Sequence, residues 1–127
     1  MERGGGVQRL RPDPKRLNPF ERLTRNASKE PAMPKGYIIA HITVHDPEAY
    51  REYIERDTPI LEALGGSFIV RGGSSELVEG STYERHVIIE FPSYQAAKTA
   101  YHDPAYQEVA EIRRRTASST IIVVEGI

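Results

Sequence analysis

The sequence predicts an α+β fold in which one four-stranded antiparallel sheet carries its helices on a single face. Two observations support this prediction. Four short runs rich in β-branched residues have the length of strands, and amphipathic helical segments separate the first from the second and the third from the fourth. The resulting order, βαββαβ, is typical of the ferredoxin-like arrangement. At 127 residues, the chain is long enough to build a core without disulfides or metals.

The first half begins with the predicted strand YIIAHITV, residues 37–44. A helix should follow, because Asp46 is a good N-cap and Pro47 suits the first helical position. Gly65 and Gly66 supply the stop that ends it.

The second half repeats these helix-start residues, since the motif His-Asp-Pro at 45–47 recurs at 102–104. We interpret both copies as helix caps rather than catalytic His-Asp pairs. The predicted elements are a strand at 67–73, a strand at 85–91, a helix after Ser93, a helix from Asp103 to the run Arg113-Arg114-Arg115, and a strand at 119–126. The three arginines are interpreted as cations that favour the dipole of a last helical turn.

Residues 1–32 differ from the rest in composition. They hold eight basic and four acidic residues, with several prolines and sparse apolar residues, whereas residues 33–127 hold nine basic and fourteen acidic residues. Such a segment buries too little apolar surface to offset its ordering entropy. We therefore expect a basic, flexible leader at 1–32 and one globular domain at 33–127.

Composition also excludes several classes of function. The mildly acidic domain has no basic patch of the kind that binds nucleic acid, and no apolar run has the length of a membrane span. The chain contains no Cys, which fits a cytoplasmic location. We predict no bound cofactor and no metal, because His86 and Glu90 share one predicted strand, His41 lies on another, and their spacing is no ligand motif.

Alternation within each strand predicts which side chains face the helices. On this basis, one row of apolar side chains in each strand faces the helices. The alternate side chains lie on the opposite face of the sheet, which no helix covers; this open face still carries large aliphatic residues. The predicted open-face aliphatic residues are Ile39, Ile69, Ile88, Ile121 and Val123, with Ile122 and Val124 assigned to the helix side. An apolar open face usually meets a partner, so we predict a homodimer through this face.

Arg71 is the unusual residue of the second strand, because it follows the apolar run Phe-Ile-Val at 68–70. Strict alternation places it on the open face, where Glu90 of the neighbouring strand is the nearest candidate to compensate its charge. The alternative partner for this guanidinium is an anionic ligand.

The segments GYIIAHITVHDPEAYREY, GGSFIVRGG, LVEG, VIIEFPSYQAAKTAYHDPAYQEV and the terminal VVEG resemble the family catalogued as domain of unknown function 1330. The resemblance covers about residues 33–126. It implies the dimeric α+β barrel superfamily, whose members include cofactor-free monooxygenases, but it implies no particular reaction.

The favoured functional hypothesis is a binder of, or a cofactor-independent enzyme for, a small anionic or oxygenated molecule. Arg71 would hold the anion, and His41 or Glu90 would move a proton. The remaining predicted lining residues are Tyr37, Tyr50, Tyr53, Phe68 and His86.

Two other hypotheses stay open at this point. The apolar sheet face equally predicts a non-catalytic structural or sensory dimer. A tautomerase that uses an N-terminal proline would require translation from Met33, because Pro34 is otherwise an internal imide without a basic nitrogen.

Overall fold

The computed structural model describes residues 33–127, and the predicted leader at 1–32 lies outside the described residues. Seven elements follow one another: β1 (Gly36–Val44), α1 (Pro47–Ala63), β2 (Ser67–Arg71), β3 (Arg85–Phe91), α2 (Tyr94–His102), α3 (Pro104–Thr116) and β4 (Ala117–Glu125). None of the helices in this part of the chain is long and apolar enough to cross a membrane.

The four strands form one antiparallel sheet in the order β2-β3-β1-β4, so the two central strands are β1 and β3. The helices cover one face, and the buried core lies between them and the sheet. Its largest fully buried side chains are Phe91 on β3, Leu61 on α1 and Val109 on α3. The predicted α+β, ferredoxin-like fold is confirmed.

Both His-Asp-Pro motifs act as helix caps. The Asp46 carboxylate accepts a hydrogen bond from the Ala49 amide at 3.2 Å, and the Asp103 carboxylate accepts one from the Ala105 amide at 2.8 Å. These bonds satisfy amide groups that the first turn of a helix leaves without partners. The capping interpretation is confirmed.

Strand β4 has the opposite phase from the one predicted. Val123 pairs with Ile38, and Ile121 pairs with Ala40, so both lie on the helix side and pack against the core. Ile122 and Val124 lie on the open face, where their side chains are 47% and 40% exposed. The prediction was wrong because the run Ile-Ile-Val-Val has no polar residue to set the phase of the alternation.

Strand β2 contains a bulge that reverses the side on which Arg71 lies. Phe68 pairs with Ile89, but the next pair is Val70 with Ile88, so Ile69 is the extra residue. An extra residue shifts everything after it to the other face of the sheet. Arg71 consequently pairs with Val87 on the helix side, and the predicted Arg71–Glu90 contact on the open face is wrong.

Candidate functional site

A cavity lies between the sheet and helices α1 and α3. Its floor is apolar and comes mainly from the core-facing residues of β1 and β3, whereas its polar groups come from α1, β2, the start of β3 and α3. The lining residues are Ile38, Ala40, Ile42, Tyr50, Tyr53, Ile54, Asp57, Phe68, Arg71, Arg85, Val87, Ile89, Tyr106 and Ile121.

Arg71 reaches into this cavity from the end of β2. Its Nη2 atom lies 3.6 Å from Oδ1 of Asp57 and donates a hydrogen bond to the Thr58 hydroxyl. The guanidinium carbon also lies 3.8 Å from the centroid of the Phe68 ring, a cation–π distance. Among the described residues that line the cavity, Arg71 alone is exposed, so it stands at the solvent side.

Asp57 is the carboxyl group of the cavity, and only 4% of it is exposed. Burial raises the pKa of the Asp57 carboxyl to about 6 from its usual value of 3.8, and the neighbouring Arg71 guanidinium opposes this rise only in part. A carboxyl group with such a pKa exchanges its proton close to neutral pH, as a general base or acid does.

Two tyrosines form the wall next to Asp57. The hydroxyl groups of Tyr53 on α1 and Tyr106 on α3 lie 2.7 Å apart and share a hydrogen bond in the core. Burial is the main cause that raises the pKa of the Tyr53 hydroxyl well above its ordinary value of 10.0, so this group stays protonated and can donate.

Arg113 lies behind this wall, with its guanidinium carbon 5.8 Å from the centroid of the Tyr53 ring. Only 3% of it is exposed. Nη1 donates to the Ser119 hydroxyl at 2.8 Å, but the buried Nε and Nη2 atoms have no hydrogen-bond partner within the described residues. All three arginines lie in the last turn of α3, as predicted, but Arg113 is buried whereas Arg114 and Arg115 are exposed.

Arg85 supplies a third guanidinium at the start of β3, and its buried Nε atom also lacks a partner among residues 33–127. Gly72 makes room for it. A Cβ atom at Gly72 would lie 2.2 Å from Nη1 of Arg85, and the φ angle of +70° at Gly72 is unfavourable for residues with a side chain. The glycine after β2 therefore leaves space that the Arg85 guanidinium occupies.

The charges in this region do not balance. Among the described residues, the guanidinium groups of Arg71 and Arg85 line the cavity together with one carboxyl group, that of Asp57, which burial partly neutralises near pH 6. A third guanidinium, that of Arg113, lies behind the tyrosine wall. Buried cations and unpaired N–H donors are costly unless an anion or acceptor meets them. The region therefore has the charge and the donors to receive an anion.

The cavity is nearly closed in this conformation. Its volume is about 20 Å³. That space suits one or two water molecules. A larger ligand would have to displace the Arg71 side chain, which stands at the mouth.

The predicted site residues fall into two groups on opposite sides of the sheet. Tyr50, Tyr53, Phe68 and Arg71 line the cavity, as predicted for one pocket. The other four lie on the open face: Tyr37, His41, His86 and Glu90. The sheet separates the groups, so the structure does not bring all eight residues into one pocket.

The open-face group makes its own contacts. The Tyr37 hydroxyl donates to the Glu90 carboxylate at 3.1 Å, and the Nδ1 atoms of His41 and His86 lie 2.9 Å apart. Within residues 33–127, no group of three or more His, Asp or Glu side chains is arranged to hold a metal ion.

Sequence reasoning missed four polar residues of the cavity region: Asp57, Arg85, Tyr106 and Arg113. Helical spacing could have found three of them. Asp57 follows Tyr50 and Tyr53 at intervals of seven and four, and Arg113 follows Tyr106 by seven, so each lies on the buried face of its helix. Arg85 shares the alternation of Val87 and Ile89.

The chain belongs to the family described as domain of unknown function (DUF1330), whose model matches residues 35–127. No curated protein matches the chain significantly.

Several solved structures share the fold. The RPA0582 protein of unknown function from Rhodopseudomonas palustris is 20% identical with a TM-score of 0.60, and the match covers 87% of this chain and 95% of that one. SnoaB, a cofactor-independent oxygenase from Streptomyces nogalater, is 15% identical with a TM-score of 0.52, and the match covers 72% and 91%. A hypothetical protein from Arabidopsis thaliana is 16% identical with a TM-score of 0.54, over 75% and 89%. At these identities, the likeness shows the fold alone, that of SnoaB-like α+β barrel proteins.

Proposed function

We propose that the cavity between the helices and the sheet binds a small anionic, oxygenated molecule with a flat apolar body. The observation that carries this proposal is the charge imbalance: the guanidinium groups of Arg71 and Arg85 line the cavity with one buried carboxyl group, and a third guanidinium, that of Arg113, lies behind the tyrosine wall. An anion would compensate these cations, and the apolar floor with its tyrosine wall would pack against the body of the ligand.

We further propose that Asp57 moves a proton of this ligand. Its carboxyl group has a pKa of about 6, so a large fraction is ionised at neutral pH and can accept a proton from an acidic C–H or O–H group. Arg71 beside it would stabilise the negative charge that develops on the ligand. Such chemistry uses only residues of the chain, and the likeness to a cofactor-independent oxygenase is compatible with it.

This assignment moves the proton-transfer role away from His41 and Glu90, which lie across the sheet from the cavity. The roles predicted for them stay untested. Pro34 is not among the residues that line the cavity, so the tautomerase hypothesis gains no support from it. The cytoplasmic location also stays a prediction.

Calorimetric titration with benzoate and salicylate tests the binding proposal, with neutral benzamide as the matched uncharged probe. We expect the two anions to bind the wild type, and benzamide to bind at least tenfold more weakly. Arg71→Met should weaken anion binding at least tenfold, because one charge-assisted pair is lost.

Arg114→Met is the control variant, since Arg114 is an exposed arginine paired with Glu111 at 2.7 Å on the surface of α3. It should leave binding unchanged. Equal affinities in the Arg71 and Arg114 variants, or no binding of either anion to the wild type, would overturn the proposal.

A second candidate function is favoured by the open face, where Ile122 and Val124 are exposed beside the half-buried Ile39 and Ile88. We propose that a second copy of the chain covers this face and forms a homodimer. In the alternative hypothesis, this dimer is itself the function, as a structural or sensory module without turnover. Anion binding that leaves every ligand chemically unchanged would favour that alternative.

A further inference from the structure

Two histidines face each other on the open face of the sheet. His41 on β1 pairs directly with His86 on β3, and their Nδ1 atoms lie 2.9 Å apart. Their ring planes are inclined by 69°, and both residues are half-buried, so solvent reaches the pair in the single chain. The pair lies on the side of the sheet opposite the cavity, on the open face that a second copy would cover in the proposed homodimer.

The contact requires that one Nδ1 atom donates a proton and the other offers a lone pair. A metal ion can replace that proton if both lone pairs converge on one point. Imidazole nitrogens bind such ions at about 2.0–2.1 Å, so two of them at a right angle lie about 2.9 Å apart. At a tetrahedral angle, the separation would be about 3.4 Å. The observed separation fits square-planar or octahedral coordination once each ring turns so that its Nδ1 lone pair points at the ion rather than at the other ring.

We propose that His41 and His86 bind one divalent ion of the kind that favours right-angled nitrogen ligands, Cu(II) or Ni(II), with water as the remaining ligands. The proton now held between the rings would move to Nε2 of the donor histidine, so two neutral imidazoles would face the ion and the exchange would balance.

The surroundings favour a cation at this position. The open-face positions of the four strands include no Lys or Arg, because Arg71 and Arg85 both lie on the helix side. Glu90 lies on the same face and adds negative charge, and Thr120 of β4 is directly opposite His41. No fixed positive charge of the sheet therefore repels the ion.

The chain has four histidines, so its other two provide matched controls. His45 contacts the Ser118 hydroxyl at 2.8 Å, and His102 lies at the end of α2. Calorimetry with Ni(II), on full-length protein without an affinity tag, should give no more than one ion per chain. We expect His41→Asn and His86→Asn each to weaken binding at least tenfold, and His45→Asn and His102→Asn to leave it unchanged.

Electron paramagnetic resonance of the wild type with one equivalent of Cu(II) provides a readout that does not depend on the folding of any variant. The proposal predicts hyperfine coupling to two imidazole nitrogens. A spectrum without this pattern, equal Ni(II) affinity in all four variants, or tighter binding of Zn(II) than of Ni(II) would overturn it.

Discussion

The guanidinium of Arg71 lies 3.6 Å from the buried carboxylate of Asp57, on the opposite side of the sheet from Glu90. The bulge at Ile69 creates this relationship, because it turns the end of β2 toward α1. An arginine that follows an apolar strand is thereby paired inside the helix layer. The same pair places a cation and a titratable carboxyl group at one cavity.

A double-mutant cycle measures this relationship directly. We expect Arg71→Met and Asp57→Asn to be coupled by about 1 kcal/mol in the free energy of unfolding, since the Arg71 side chain is 31% exposed and solvent screens part of the interaction. Urea unfolding at one fixed protein concentration measures it. The matched cycle of Arg71→Met with Glu90→Gln should show coupling below about 0.5 kcal/mol. Stronger coupling to Glu90 than to Asp57 would contradict the observed placement of Arg71.

Asp57 should make the stability of the protein depend on pH. Its pKa is raised to about 6 in the folded state, so the folded protein binds a proton more tightly than the unfolded chain does. The resulting stabilisation is fully present below about pH 4 and is lost as pH rises through 6. Asp57→Asn removes this dependence, so the stability of the variant relative to the wild type should rise by up to about 3 kcal/mol between pH 4 and pH 7.

Urea unfolding at several pH values tests this prediction, with Glu62→Gln as the control. Glu62 is an exposed carboxylate on the same helix. Its replacement should leave the pH dependence as in the wild type. Parallel pH profiles for wild type and Asp57→Asn would show that Asp57 titrates in the folded protein as it does in the unfolded chain.

Alanine substitutions at three glycines of the β2–β3 connection distinguish the cost of backbone strain from the cost of displacing the Arg85 side chain. Gly80 has a φ of +83° and open space around its Cβ position, Gly73 has neither constraint, and Gly72 combines a φ of +70° with the contact to Arg85. Substitution by Ala should therefore cost about 0 kcal/mol at Gly73, about 1 at Gly80 and about 2–3 at Gly72.

Thermal and urea unfolding of the three alanine variants provide the comparison. Gly72→Ala should in addition weaken benzoate binding, because the guanidinium of Arg85 must move. A cost at Gly72 equal to that at Gly80 would mean that Arg85 adjusts without loss.

The proposed homodimer predicts that charge on the open face separates the subunits. Ile122→Glu combined with Val124→Glu should raise the dimer dissociation constant at least a hundredfold, because two carboxylates would be buried without partners. Light scattering after size-exclusion chromatography measures the mass. Tyr94→Glu combined with Ala105→Glu adds the same charge to exposed positions on α2 and α3 and should leave the mass unchanged. A wild type that is monomeric at all concentrations would contradict the homodimer.

Much of the fold was predictable from local sequence signals. The caps at Asp46 and Asp103 and the alternation of β1 and β3 each involve a few neighbouring residues, and the structure confirms them. The phase of β4 was not predictable in this way, since only its pairing with β1 determines which side of the Ile-Ile-Val-Val run faces the helices.

The candidate site was predictable only in part. Tyr50, Tyr53 and Phe68 were found because apolar spacing places them toward the core. The same helical spacing places Asp57 on the buried face, but a charged residue is not expected there. The side of Arg71 depends on a one-residue bulge, and alternation within β2 contains no information about it. Arg113 is polar and stands in a basic run, so only its position relative to Tyr106 distinguishes it from its exposed neighbours.

The most direct test of the cavity as the ligand site is a nuclear magnetic resonance titration of the wild type with salicylate. We expect the Nε–H signals of Arg71, Arg85 and Arg113 to shift together with the methyl signals of Ile38 and Val87 in the cavity floor, while those of Ile122 and Val124 stay in place. Shifts confined to Ile122, Val124 and the open-face histidines would place the ligand on the other side of the sheet and rule out the cavity as its site.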